Sequence, residues 1–135
     1  MIFVDADAFL ALHADGDAHY TRAYRLSEFL NHTHEPLVTS WDVIDEVTTK
    51  LARFTNQKIA IGFLKQIFLS DVRIEYITSE LAPAIQFLFA KQTSKKVSLT
   101  DCSNMVIARQ LGIKTFFSFD HHYEQNGFTL LAKPS

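Results

Sequence analysis

Cysteine is nearly absent from this chain. Cys102 stands alone, so no intramolecular disulfide can form, and a reducing compartment suits such a sequence. Long hydrophobic runs are missing as well. None approaches the roughly 18 apolar residues of a membrane span, and Asp5 and Asp7 interrupt the first apolar run, so the start does not resemble a secretory signal. Charge of one sign is also lacking. The formal net charge is −2, which gives no sign of a global field for gripping nucleic acid but leaves room for a local basic rim beside an acidic site. There is no internal repeat, low-complexity segment or linker. What is present is ordinary for a globular chain: 135 residues, 47% hydrophobic and 21% charged, enough for one domain over 1–135 with a real core. The expected location is the cytoplasm, with no membrane contact. Twelve phenylalanines are a heavy load, suited to a compact core plus an apolar partner surface.

In order, the chain alternates strand-like and helical patterns. Met1-Ile2-Phe3-Val4 is a short apolar run ending at Asp5, the mark of a strand buried on both faces. A short helical pattern follows from Ala8, and Asp17 is placed to cap the next, from Ala18 to Leu30. Leu37-Val38-Thr39 reads as a second strand, after which Thr39 or Ser40 caps a helix from Trp41 to about Phe54. Asn56 opens a further helix, Val72–Ile77 alternates as a half-exposed edge strand, and Ser79 starts a helix to about Lys91. Thr100 is read as the cap of a helix carrying Asp101, with Gly112 at its end. Ile113–Phe119 and Phe128–Leu131 are the last strands. Such alternation predicts an α/β fold, a parallel sheet with helices on both faces.

Four carboxylates occupy telling places in that scheme. Asp5 and Asp120 each end an apolar strand-like run, and ligands of an open parallel sheet sit outside the carboxyl ends of its strands. Asp101 lies in the first turn of a helix, where the dipole favours an anion, and Glu46 lies in the second turn of the helix after strand two. Gathered carboxylates repel unless a cation compensates them. Mg²⁺ or Mn²⁺ is the matching ion, because both favour oxygen donors and keep several waters, one of which can be activated against a phosphodiester. The hydroxyls of Thr39, Thr100, Ser103 and Ser118 stand near these acids and are suited to orienting them.

Phe3-Val4-Asp5, Thr39-Ser40 with Val43 and Glu46, Leu99-Thr100-Asp101-Cys102 and Phe117-Ser118-Phe119-Asp120 together resemble the four acidic motifs of PIN domains. The run from Phe119 through His121, His122 and Gly127 to Phe128 is similar to the end of VapC-type toxin ribonucleases. The resemblance covers nearly the whole chain, in order. It implies a PIN-like three-layer α/β/α sandwich around a mostly parallel sheet of four to five strands. It further implies a Mg²⁺- or Mn²⁺-dependent endoribonuclease, the toxin of a type II toxin–antitoxin pair, with an RNA substrate, a cognate antitoxin and a homodimeric state. Carried over, Asp5, Glu46, Asp101 and Asp120 become the metal-binding acids. One departure stands out: two residues after the first acid the family often has a small polar residue, and here it is Asp7.

Each assignment has a plainer rival. Asp7 reads better as a helix cap than as a ligand, and Glu46 is spaced to pair with Lys50 at i,i+4. His121 and His122 invite a zinc site, but the other histidines are not at ligand spacing; a solvated or RNA-facing His121 fits better. Lys91, Lys95 and Lys96 line either an RNA entry rim or a solvated loop. Phe63, Phe68, Phe87 and Phe89 read as core, although Phe87 and Phe89 cannot share one helical face, so one of them marks a dimer or antitoxin surface. Two other functions stay open: a PIN-like binding module without turnover, and a haloacid-dehalogenase-like phosphatase using Asp5 of the Asp-x-Asp opening as nucleophile.

Overall fold

The computed structural model describes residues 1–14 and 16–132. Five short strands form one sheet: β1 (Ile2–Val4), β2 (Leu37–Ser40), β3 (Arg73–Glu75), β4 (Thr115–Phe117) and β5 (Thr129–Leu130). Their spatial order is β3-β2-β1-β4-β5, and every neighbouring pair is parallel. Parallel neighbours need crossovers, supplied by α1 (Ala6–Leu12) and α2 (Tyr20–Thr33), by α3 (Trp41–Phe54) and α4 (Gln57–Leu69), by α5 (Ala82–Ala90) and α6 (Leu99–Gln110), and by the one-turn α7 (His122–Gln125). The path runs outward from β1 through β2 to β3, then returns to β4 on the other side of β1. Right-handed crossovers therefore put α1–α4 on one face of the sheet and α5–α6 on the other. The layers are α/β/α, as the motifs implied.

Continuous burial of Ile2-Phe3-Val4 and of Phe116-Phe117 explains why these strands show no alternation. Across the β1–β4 pair, Phe3 and Phe116 lie in register with ring centroids 5.0 Å apart. Phe116 also stacks on Tyr123 at 4.1 Å and meets Phe128 edge-on at 4.9 Å. Such contacts add about 0.5–1.5 kcal/mol each beyond simple burial, and they fasten α7 beneath the strand ends. On α3, Val43, Val47 and Leu51 form the buried stripe that the spacing predicts, joined by Ile44. β3 is an edge strand, as its alternation suggested.

Several boundaries differ from expectation for identifiable reasons. The helix after β3 starts at Ala82, not Ser79, since Pro83 lacks an N–H and fits only the first turn. Thr100 does not cap α6. Ser98 does, accepting from Asp101 N while Asp101 returns a bond to Ser98 N, a reciprocal capping box. Asp17 accepts from His19 N, and α2 begins only at Tyr20. Of the four phenylalanines read as core, only Phe63 is buried; Phe68, Phe87 and Phe89 are exposed. Gly112 and Gly127 take φ of +70° and +91°, the left-handed turns needed to leave α6 and α7.

Candidate metal centre

The strand order reverses between β1 and β4, so the sheet opens a crevice at the carboxyl ends of these two strands. Asp5 follows β1 directly, and Ser118, Phe119 and Asp120 follow β4. One carboxylate oxygen from each of Asp5, Asp7 and Asp120 falls within 4.8 Å of the other two. Asp5 is buried, Asp7 half-buried and Asp120 exposed, so the cluster grades from core to solvent.

Asp5 is held by four donors. Oδ1 accepts from Ala6 N at 2.8 Å and Asn104 Nδ2 at 3.4 Å, and Oδ2 accepts from Tyr123 OH at 2.8 Å and Ser118 Oγ at 3.2 Å. Asp5 itself, rather than Asp7, caps α1. This corrects the capping role expected of Asp7. The Asp7 carboxylate instead reaches β4, with Oδ2 accepting from Phe119 N at 2.7 Å and Ser118 Oγ at 3.1 Å. Its Oδ1 is buried with no hydrogen-bond partner among the described residues.

The proton count of this network is unusual. Ser118 Oγ contacts Asp5 and Asp7, and Tyr123 OH contacts Asp5 Oδ2 and Asp101 Oδ1, the latter at 3.2 Å. Each hydroxyl has only one proton to donate. Three ionised carboxylates therefore share two hydroxyl protons, and the shortfall is made up by a proton on an acid or by a cation. Burial accordingly pushes the Asp5 carboxyl up to about 8, with the charges of Asp7 and Asp101 adding to the effect. Burial, with a smaller push from Asp120, raises Asp7 to about 6. Tyr123 is driven well above its ordinary range by burial and by the two carboxylates on its hydroxyl.

Asp101 behaves differently. Burial alone raises it, but His122 and the two bonds with Ser98 outweigh burial and hold it below the usual carboxylate range. His122 Nε2 lies 3.3 Å from Asp101 Oδ2, an ion-pair distance without hydrogen-bond alignment. Burial opposes charge on that imidazole, yet Asp101 keeps it above its ordinary value. Asp101 therefore sits beside the cluster, one tyrosine hydroxyl from Asp5.

Glu46 stands apart from the three gathered acids. Its carboxylate is 3.6 Å from Lys50 Nζ, the i,i+4 pair that spacing allows, and it faces a shallow hollow lined also by Asp42, Asp45 and Thr100. Of the four hydroxyls expected to orient the acids, Thr39, Thr100, Ser103 and Ser118, Ser118 is the one bonded to their carboxylates. Thr39 donates to Val4 O, holding β2 against the residue before Asp5, and Ser103 donates back to Leu99 O. Thr100 lines the hollow with Glu46. Lys91 Nζ lies 4.2 Å over the Phe87 ring, and His121 bonds to Glu124 at 2.7 Å.

Two contributors, Asn104 and Tyr123, escaped the sequence reading, and His122, considered there only for zinc, is the partner of Asp101. Asn104 had a signal, a polar residue three positions after Asp101 on the same helical face, directly before the apolar run Met105-Val106-Ile107-Ala108. Tyr123 had none, because its role depends on Phe116 beneath it. Behind Asn104, Ser40 donates from Oγ to Asn104 Oδ1 at 2.9 Å while capping α3 through Val43 N at 3.1 Å. Both residues are fully buried. Ser40→Ala removes a cap and strands a buried amide oxygen, so urea denaturation is expected to show a loss of about 2–3 kcal/mol. A loss under 0.5 kcal/mol contradicts this role.

The donor set fits a hard divalent cation: carboxylate oxygens only, one of them buried without a partner, and a proton deficit that a positive charge removes. Comparison with known proteins points the same way. A family model described as the PIN domain matches residues 2–128. The 23S rRNA-specific endonuclease VapC20 of Mycobacterium tuberculosis, in strains CDC 1551 / Oshkosh and H37Rv, is 29% identical over 129 residues, covering 95% of each chain. The crystal structure of the Mycobacterium tuberculosis protein VapC20, described as a Sarcin-Ricin loop cleaving toxin, superposes with a TM-score of 0.83 at 28% identity. That match covers 96% of this chain and 97% of the other.

Proposed function

Because the chain belongs to the PIN domain family, we propose that it is a metal-dependent endoribonuclease acting as the toxin of a type II toxin–antitoxin pair. The observation that carries this reading is the convergence of Asp5, Asp7 and Asp120 at the β1/β4 switch point, with a buried oxygen left unpartnered. Similarity to a 23S rRNA-specific endonuclease makes a ribosomal RNA stem-loop of the sarcin–ricin type the first substrate to test. The antitoxin, a homodimeric state and a cytoplasmic location belong to the same proposal. Among the described residues, no helix is long and apolar enough to cross a membrane.

Mg²⁺ or Mn²⁺ would be held by Asp5, Asp7 and Asp120, with Asp101 and Glu46 as further acids of the site. When bound, such an ion supplies Lewis acidity and a water of lowered pKa for attack on phosphorus. The protein's own part is to hold the acids in place. Ser118 ties Asp5 to Asp7 and, by accepting from Asp120 N at 3.2 Å, fixes the turn that presents Asp120. Tyr123 sets the spacing between Asp5 and Asp101, and Ser40 with Asn104 fixes the rotamer of Asp5 from behind. Lys91, Lys95, Lys96 and His121 are retained as an RNA rim. A phosphatase with Asp5 as nucleophile finds no support, since Asp5 is buried against four donors rather than presented to a substrate.

The test is cleavage of a synthetic sarcin–ricin stem-loop RNA by the purified protein with Mg²⁺ or Mn²⁺, and again after chelation. Cleavage at a discrete position that stops with EDTA is the expected result. Cutting that continues unchanged in EDTA excludes the carboxylate centre as its source.

A further inference from the structure

Beside the acids lies an aromatic and cationic face that the carboxylate chemistry does not use. The rings of His19 and Phe119 lie 4.3 Å apart and within 4° of parallel. Arg22 places its guanidinium carbon 5.5 Å from the Phe119 centroid. Tyr20, the residue after His19, stacks at 6.2 Å on Tyr24 one turn along α2, and the exposed Arg25 follows Tyr24 in the chain. This face is welded to the centre. Phe119 precedes Asp120 in the chain, and its N–H is bonded to the Asp7 carboxylate at 2.7 Å. The His19 backbone is pinned too, its N–H donating to Asp17 Oδ1 at 2.8 Å and its carbonyl accepting from Ala23 N at 2.8 Å.

Burial explains only part of the arrangement: Phe119 is half-buried against the core. His19, Arg22, Tyr24 and Arg25 are exposed, and the apolar stripe of α2 is carried by Ala23, Leu26 and Leu30. Among the described residues, neither Arg22 nor Arg25 pairs with a carboxylate. An exposed imidazole held flat on a half-buried phenyl ring, beside guanidinium groups that have no carboxylate partner among the described residues, suits a single-stranded nucleic acid, whose bases stack on aromatic faces while its phosphates meet cations. Both rings are ordered by the fold itself, so binding need not organise them.

Resting on the ribonuclease reading, we propose that His19, Phe119 and Arg22 hold the RNA strand next to the scissile phosphate, with an unpaired base on the His19–Phe119 stack and a neighbouring phosphate on Arg22. Tyr24 and Arg25 extend the same track along α2. These are positioning residues; the reacting atoms belong to the acids. They also supply the cationic, aromatic contact that the overall charge of −2 withholds from the molecule as a whole.

Steady-state cleavage of a fluorescein-labelled sarcin–ricin stem-loop RNA, and of versions with one loop nucleotide made abasic at a time, tests the assignment. His19→Ala is expected to raise KM about tenfold to a hundredfold with kcat nearly unchanged, and His19→Phe to restore it. One abasic position is expected to cost the wild type a similar factor and His19→Ala nothing further. Arg22→Gln is expected to flatten the dependence of log affinity on log salt by about 0.7. If the wild type cleaves and no abasic position couples to His19, or KM is unmoved in His19→Ala, the stack has no part in binding RNA and the nuclease reading stands. If the wild type cleaves no RNA with either metal, both fail. Mn²⁺ titration calorimetry on His19→Ala, expected to match wild type, separates lost substrate contact from a damaged centre.

Discussion

Asp5→Asn is expected to lower RNA cleavage by at least about a hundredfold and, without metal, to raise the melting temperature at pH 8. The loss of activity follows from removing a buried charge at the centre of the cluster, since electrostatic groups of this kind are commonly worth two to three orders of magnitude or more. The gain in stability follows from linkage. In the folded protein the Asp5 carboxyl is raised to about 8 from an ordinary 3.8. Between those values the folded chain holds a proton that the unfolded chain has released. Stability therefore falls as pH rises from about 4 to about 8. Asparagine carries no such proton. It also completes the hydrogen bonds: Oδ1 still accepts from Ala6 and Asn104, while Nδ2 donates to Ser118 Oγ and Tyr123 OH, freeing those hydroxyls to serve Asp7 and Asp101. Thermal melts with EDTA at pH 5 and pH 8 check this. A variant that melts below wild type at pH 8, or a wild-type curve that does not fall with pH, sinks the argument. With Mn²⁺ present the order is expected to reverse, because only the wild type binds the ion.

That trade of stability for charge explains which parts of the site could be read from residues alone. Apolar runs ending in acids, at Val4-Asp5 and at Phe119-Asp120, announce strand ends in any parallel sheet, and both acids lie where the strand order reverses. Asp101 was legible as a helix-start anion, although its cap is Ser98 and not Thr100; two hydroxyls two residues apart are equivalent to a pattern and distinct only in the backbone. Asp7 was misread, because its partners, Ser118 and the Phe119 N–H, lie more than a hundred residues downstream. Local spacing suggests a cap for such an acid, and only strand pairing turns it toward the centre. Phe68, Phe87 and Phe89 failed for a related reason: aromatic content says what a core can be built from, not which face of a helix meets it. Tyr123 is the clearest limit. Its ring belongs to the Phe116 stack and its hydroxyl to Asp5 and Asp101, and neither relation leaves a mark in local sequence.

Mn²⁺ affinity is expected to climb steeply with pH, by about tenfold for each pH step of one between 6 and 8, and more steeply below 6. Metal ligands must be deprotonated, so binding releases whatever protons the free site holds. Between pH 6 and 8 the free site holds one, on the pair in which Asp5 is raised to about 8. Below 6 it holds a second, since Asp7 is raised to about 6. The sign is fixed by burial: desolvation lifts both acids, so acid competes with metal at pH values where an exposed carboxylate does not. Calorimetric titrations in buffers of different ionisation enthalpy measure the released protons directly. About one proton per ion at pH 7 and nearly two at pH 5.5 are expected. Asp7→Asn is expected to release no more than one at either pH, because the second proton has lost its carrier. Affinity that is flat from pH 5.5 to 8 overturns the assignment of Asp5 and Asp7 to the metal centre, since a buried and a half-buried acid cannot bind a cation there without first giving up the protons that desolvation placed on them.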